Sequence, residues 1–105
     1  MITALVQFNL PSAITLPEAT RRFETSAPKY RNLPGLIRKY YICSEDGRTV
    51  GGVYLWESRA DAERLYDDEW RARVQALYGV KPSFTWFATP VIVDNLAGSI
   101  STKAA

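Results

Sequence analysis

Between Gly35 and Ser58 the chain reads GLIRKYYICSEDGRTVGGVYLWES, two extended runs with apolar residues on both parities. A sheet wetted on one face alternates apolar with polar residues. Leu36, Ile37, Tyr40, Tyr41, Ile42 and Cys43 break that alternation, and so do Val53, Tyr54, Leu55 and Trp56. Only Arg38 and Lys39 interrupt the first run, and as strand neighbours they point to opposite faces. Both faces of this hairpin therefore need a cover. Ser44-Glu45-Asp46-Gly47 supplies the turn, with Gly47 suited to a positive φ, between strands predicted near 36–43 and 49–57. Gly51-Gly52 inside the second strand predicts a bulge or bend, with close approach of a ligand to bare backbone as the alternative.

The flanking pattern completes the order of elements. Ile2, Ala4, Val6 and Phe8 share one parity and predict a first strand over Ile2–Asn9. Thr15 as N-cap with Glu18 three residues on predicts a capping box, and Pro17 suits the first turn. Leu16, Ala19, Phe23, Ala27 and Tyr30 form the apolar stripe of that helix, which Pro28 kinks or ends. Ser58 caps a second helix, with Ala62, Leu65, Tyr66, Trp70, Val74 and Leu77 inward and Gly79 as its stop. Asp67–Arg71 and Glu69–Arg73 are spaced as ion pairs on its polar side. Ser83–Val93 predicts a last strand, with Pro90 arguing for an edge position or a bulge.

The order is βαββαβ. That is an α+β, ferredoxin-like arrangement: a four-stranded antiparallel sheet with two helices on one face. One domain is expected over residues 1–95, followed by a flexible or partner-contacting tail over 96–105. Helices cover one sheet face only. The other, also apolar, exceeds the few hundred Å² that soluble monomers expose, so a homodimer through sheet faces is expected, closing a dimeric α/β barrel.

Composition narrows the chemistry. The 105 residues are 47% hydrophobic and 23% charged, with a net charge of +2. That balance carries no electrostatic footprint for nucleic acid or for an anionic membrane. The chain has no histidine and one cysteine, Cys43. It therefore lacks Ser-His and Cys-His couples, imidazole bases, disulfides and the usual metal ligands, so no metal is expected. Without a signal peptide or an apolar run long enough to span a bilayer, a cytoplasmic location is expected.

Candidate functional residues are cations and aromatics. One of Arg38 and Lys39 faces the helix side. Arg38 would stabilise a bound anion, or Lys39 would be a desolvated base with a lowered pKa. The plainer reading has one paired with a carboxylate across the dimer and the other reaching solvent. Tyr40 or its neighbour Tyr41, with Tyr54, Tyr66 and Trp70, would bind a flat small aromatic ligand. Trp56 and Trp86 are read as barrel packing.

PGLIRKYY, GGVYLWES running into the second helix, DDEWRARV and FATPVIVDN resemble the small dimeric α/β-barrel monooxygenase family, kin to the antibiotic-biosynthesis monooxygenases. The resemblance spans Ile2 to about Asn95. It implies oxygenation of a phenolic or polycyclic aromatic substrate by O2 without flavin, haem or metal, in a pocket between sheet and helices, so that no cofactor is needed. It also implies that Asn9, ending the first strand, orients a substrate oxygen. Leu65 and Gln75 stand where the haem-degrading branch has tryptophan and histidine, which disfavours haem degradation. A non-catalytic ligand-binding module, or an isomerase or dehydratase on the same barrel, is the alternative.

Overall fold

In the computed structural model, which describes residues 1–102, the elements follow the predicted order with three refinements. They are β1 (Ile2–Asn9), α1 (Leu16–Ser26), a 3-10 turn (Ala27–Tyr30), β2 (Leu36–Cys43) and β3 (Thr49–Trp56). Next come α2 (Arg59–Leu65), α3 (Asp68–Tyr78), β4 (Ser83–Ala88), β5 (Val91–Asp94) and β6 (Ser99–Thr102). Strands β2-β3-β1-β4 form one antiparallel sheet, with β5 and β6 in a separate hairpin. The α+β, ferredoxin-like architecture is as expected.

Local chemistry sets the boundaries. The Thr15 hydroxyl accepts from the Glu18 amide at 3.2 Å, but Glu18 turns outward to Arg22 and leaves the capping box half made. Pro28 lacks a donor N–H, and the helix passes there into the tighter 3-10 turn. The predicted second helix is two helices. Tyr66 leaves the helical region, and the Asp67 carboxylate caps α3 by accepting from the Trp70 amide at 2.8 Å. Arg71 then donates to the Tyr66 carbonyl, so the expected Asp67–Arg71 pair does not form, nor does Glu69–Arg73 among the described residues. Pro90 divides the predicted last strand between β4 and β5. Of the expected tail, residues 96–102 form a turn and β6; residues 103–105 lie outside the described residues.

The register resolves the double-sided apolar pattern of β2. Leu36 pairs with Trp56, but Arg38 pairs with Leu55 and Lys39 with Tyr54, so Ile37 is an extra residue in a β-bulge. The bulge lies here and not at Gly51-Gly52, where both ladders run unbroken. Leu36, Lys39, Tyr41 and Cys43 consequently face the helices, while Arg38, Tyr40 and Ile42 face away. Gly47 turns the hairpin at φ 71°, and a Cβ there would strike the Ile14 carbonyl.

The core fills the space between sheet and helices. Ala4, Val6 and Phe8 of β1 lie beside Val50, Tyr54 and Trp56 of β3 on the helix face of the sheet, and Ala62, Tyr66, Trp70 and Val74 of the helices pack onto them. Trp56, expected in the barrel, is instead fully buried on the helix side, where its indole donates to the Tyr66 hydroxyl at 3.2 Å. Arg59 and Arg71 lie over Trp86 and Phe84 and close the β4 edge of this layer.

The opposite sheet face carries Leu5, Val53, Leu55, Tyr40, Ile42 and Phe87 on the outward parity. The β5–β6 hairpin stands over part of it, tied by an Arg38–Asp94 ion pair at 3.5 Å. A space of about 670 Å³ remains between them. Exchange of Trp56 for Ala is expected to cost about 3–5 kcal/mol of stability, because it removes the largest fully buried side chain. Glu45→Ala, at an exposed turn position, is expected to change stability by less than about 0.5 kcal/mol. Urea denaturation of the two variants checks the contrast.

Candidate functional site

Lys39 is the charged side chain that the Ile37 bulge turns inward. Its ammonium group lies 3.5 Å from the ring centre of Tyr30, 3.8 Å from Tyr41 and 4.6 Å from Tyr54. Each ring comes from a different element: the 3-10 turn, β2 and β3. Opposed forces act on the amine. Burial pushes its pKa down from 10.5 to about 7, whereas the three ring faces attract the ammonium form. No carboxylate pairs with Lys39 among the described residues.

This amine borders a cavity of about 380 Å³ between sheet and helices, within the range of roughly 300–1,000 Å³ usual for small-molecule sites. Phe8, Tyr41, Gly52 and Tyr54 contribute the sheet side, and Trp70, Val74 and Tyr78 the helical side. Gly52 makes the room. A Cβ at that position would stand 2.9 Å from the Tyr54 ring and 3.0 Å from the Lys39 side chain. Its lack of a side chain thus leaves space for these two side chains at the cavity floor.

Hydrogen bonds fix the walls. The Trp70 indole donates to the Tyr30 hydroxyl at 3.0 Å, joining the 3-10 turn to α3. The Tyr41 hydroxyl lies 2.7 Å from Ser26 Oγ at the end of α1. Burial raises the Tyr41 phenol to about 12 and pushes Tyr54 and Tyr78 upward as well, so these hydroxyls keep their protons at neutral pH. The cavity therefore offers one amine able to take a proton near neutrality, surrounded by neutral donors and aromatic surface.

The predicted residues divide cleanly. Lys39, Tyr54 and Trp70 meet at the cavity. Tyr66 lies one layer behind, its ring 5.4 Å from Tyr54 and 4.8 Å from Trp70. Tyr40 faces away, where its hydroxyl accepts from Arg38 at 3.1 Å. Arg38 also faces away, and its carboxylate partner is Asp94 of the same chain. Asn9 is exposed at the end of β1, its amide oxygen accepting from Thr49 at 3.2 Å, apart from the cavity lining. Tyr41, the alternative to Tyr40, lines the cavity, whereas Phe8, Tyr30 and Tyr78 were not among the expected ligand-binding residues. Tyr30 lay on the apolar stripe of the first helix. Among the described residues, no cluster of three or more His, Cys, Asp or Glu side chains could hold a metal ion, and no helix is long and apolar enough to cross a membrane.

A four-stranded antiparallel sheet with helices on one face and an aromatic cavity between the two layers is an α+β, ferredoxin-like architecture with room for a small ligand. Residues 5–83 match the family model described as "Putative mono-oxygenase ydhR", and the chain belongs to that family. Its fold is shared with a monooxygenase from the gene ActVA-Orf6 of Streptomyces coelicolor, solved in complex with nanaomycin D. The two are 18% identical over 88% of this chain and 89% of that one, with a TM-score of 0.66. SnoaB of Streptomyces nogalater, a cofactor-independent oxygenase, is similar at 18% identity, 84% and 91% coverage and a TM-score of 0.61. A point mutant of SnoaB aligns with the same coverage and TM-score at 16% identity. No curated protein matches the chain.

The low amine pKa carries a stability signature. Between pH 7 and 10.5 the unfolded chain holds the Lys39 proton while the folded chain has released it, so this group's contribution to stability rises with pH across that interval. Lys39→Met, which keeps the stem and removes the charge, is expected to be more stable than the parent at pH 7. That margin should shrink toward pH 10 by at most about 1.4 kcal/mol per pH unit. Denaturant titrations at several pH values check this; a pH-independent margin would refute a neutral buried amine.

Proposed function

We propose that the protein is a cofactor-independent monooxygenase acting on a small phenolic or polycyclic aromatic substrate with O2. The observation that carries this reading is the Lys39 amine, buried against three tyrosine rings and open to a cavity without a carboxylate. A flat substrate stacks against Tyr54 and Trp70, and its acidic C–H or O–H lies toward the amine. Lys39 takes that proton as general base, at a pKa near the operating pH. The product pair is an ammonium beside a delocalised anion. The penalty on the ammonium falls once an anion sits next to it, so the site favours the charged state more than the neutral one. The tyrosine hydroxyls, protonated at this pH, are donors for the developing oxyanion.

The carbanion then supplies the electrons. For an anthrone, the ring methylene is oxidised by four electrons to a carbonyl. O2 accepts all four; one oxygen atom is retained as that carbonyl, and the other leaves as water with the two methylene hydrogens. The redox balance closes on substrate and O2 alone. Two fold relatives support the substrate class: one binds nanaomycin D, and the other is described as a cofactor-independent oxygenase.

Oxygen uptake with an anthrone tests the reading. Lys39→Met is expected to lower kcat by about 10²–10⁴-fold, and the parent's activity should rise with pH through an apparent pKa near 7. Binding without oxygen uptake would leave a ligand-binding module or an isomerase in place of the oxygenase.

The protein's working form in this reading is a cytoplasmic homodimer joined through the outward sheet face, the single Cys43 fitting a reducing compartment. Tyr40 and Phe87 on the outward face, and Val91, Val93, Leu96 and Ile100 of the hairpin region, are all more than half exposed in the single chain. Size-exclusion chromatography with light scattering is expected to give twice the chain mass at micromolar concentration. A monomer would refute the dimer.

A further inference from the structure

The charges bordering the cavity are of one sign. Lys29, Lys39 and Arg73 all line it, and no aspartate or glutamate does. For the whole chain the balance is nearly even, 13 basic against 11 acidic residues. Lys39 lies inside, whereas Lys29 and Arg73 are exposed. Both border the cavity beside the hydrogen bond between Tyr30 and Trp70: Lys29 precedes Tyr30, and Arg73 lies one turn beyond Trp70 on α3. They therefore flank the seam where the 3-10 turn meets α3. Arg73 also borders a shallow cleft containing Asp61, Asp67 and Glu69. Among the described residues, neither Lys29 nor Arg73 forms an ion pair.

We propose that Lys29 and Arg73 form an anion-recognition rim, and that the substrate is an aromatic bearing an anionic substituent, of carboxylate or sulfonate type, that reaches this exposed rim. This deepens the small-aromatic-ligand reading of the same cavity and rests on it. The physical logic is a division of labour along the cavity. The dry end holds an amine of reduced proton affinity, suited to reacting with a neutral C–H or O–H. At the solvent-exposed rim the two cations meet an anion that keeps much of its hydration and gains Coulomb attraction without a large desolvation cost. An anionic group entering there fixes which end of a flat ring system reaches Lys39. Arg73 adds a planar fork that matches a carboxylate.

Matched hydroxynaphthalenes test this by titration calorimetry on the intact protein at low salt. The neutral probe is 2-naphthol; the anionic probes are 6-hydroxy-2-naphthoate and 6-hydroxynaphthalene-2-sulfonate. Both anions are expected to bind about tenfold tighter than the neutral compound. The ratio should fall below about threefold in a Lys29→Gln, Arg73→Gln double variant. It should fall likewise for the parent in about 0.5 M salt, which decides the matter if the variant misfolds. Equal affinities in the parent, a ratio that survives both treatments, or no binding of any probe would overturn the rim. Oxygen uptake is scored separately. Uptake with a neutral anthrone but no anion preference overturns the rim and leaves the oxygenase; anion preference without uptake does the reverse.

Discussion

A single extra residue in β2 decides what the two faces of the sheet are for. Leu36 and Trp56 share the helix side, and an unbroken ladder would carry Arg38, Tyr40 and Ile42 to that side with them. A guanidinium would then enter a layer whose lining holds no carboxylate, at a cost of several kcal/mol for an unpaired buried charge. The bulge at Ile37 reverses the parity. Arg38 goes out to Asp94 and Tyr40, and Lys39, whose amine can shed its proton, goes in. Arginine keeps its charge in any protein environment, so the two adjacent cations are not interchangeable at this point.

Once inside, Lys39 is held by a balance that neither effect wins outright. Desolvation disfavours the ammonium and ring quadrupoles favour it, which leaves both protonation states accessible near neutrality. A carboxylate beside the amine would have destroyed that balance by locking the charged form. Gly52 completes the arrangement from β3. Any larger residue there would compete for the volume that the Lys39 stem and the Tyr54 ring occupy.

Much of this was legible in the sequence, because it rests on periodicity and local caps. The element order, the Thr15 and Ser58 caps and the turn at Gly47 follow from short-range chemistry that a chain displays openly. That Arg38 and Lys39 diverge is also a local fact. Which of them faces inward is not, since it depends on a register shift set by pairing with β3. The same shift explains Tyr40. Read without a bulge it shares a face with Leu36, and read with one it faces away, leaving Tyr41 at the cavity. The break at Tyr66-Asp67 was hidden for a different reason: the apolar spacing Ala62, Tyr66, Trp70 passes through it without a gap. Asp67 has the chemistry of a cap, but the continuous stripe masks it. Lys29 and Arg73 read as ordinary solvated charges until the Tyr30–Trp70 contact brings their elements together.

That contact belongs to a larger constraint on the cavity wall. Tyr66 sits at the junction of α2 and α3, with its ring against Tyr54, Trp56, Trp70, Phe84 and Trp86. It has no place in the lining, yet two of its neighbours, Tyr54 and Trp70, do. Packed aromatics lose rotameric freedom on folding and interlock at near-crystalline density, so a wall backed this way is already in place before a ligand arrives. The short helix α2 ends where this ring must insert; a straight helix through residues 66–67 would carry Trp70 elsewhere relative to the sheet. The helix break is thus the geometric counterpart of the strand bulge. One aims the amine, the other aims the indole that braces Tyr30 over it, and the binding surface is shaped by two interruptions of otherwise regular elements.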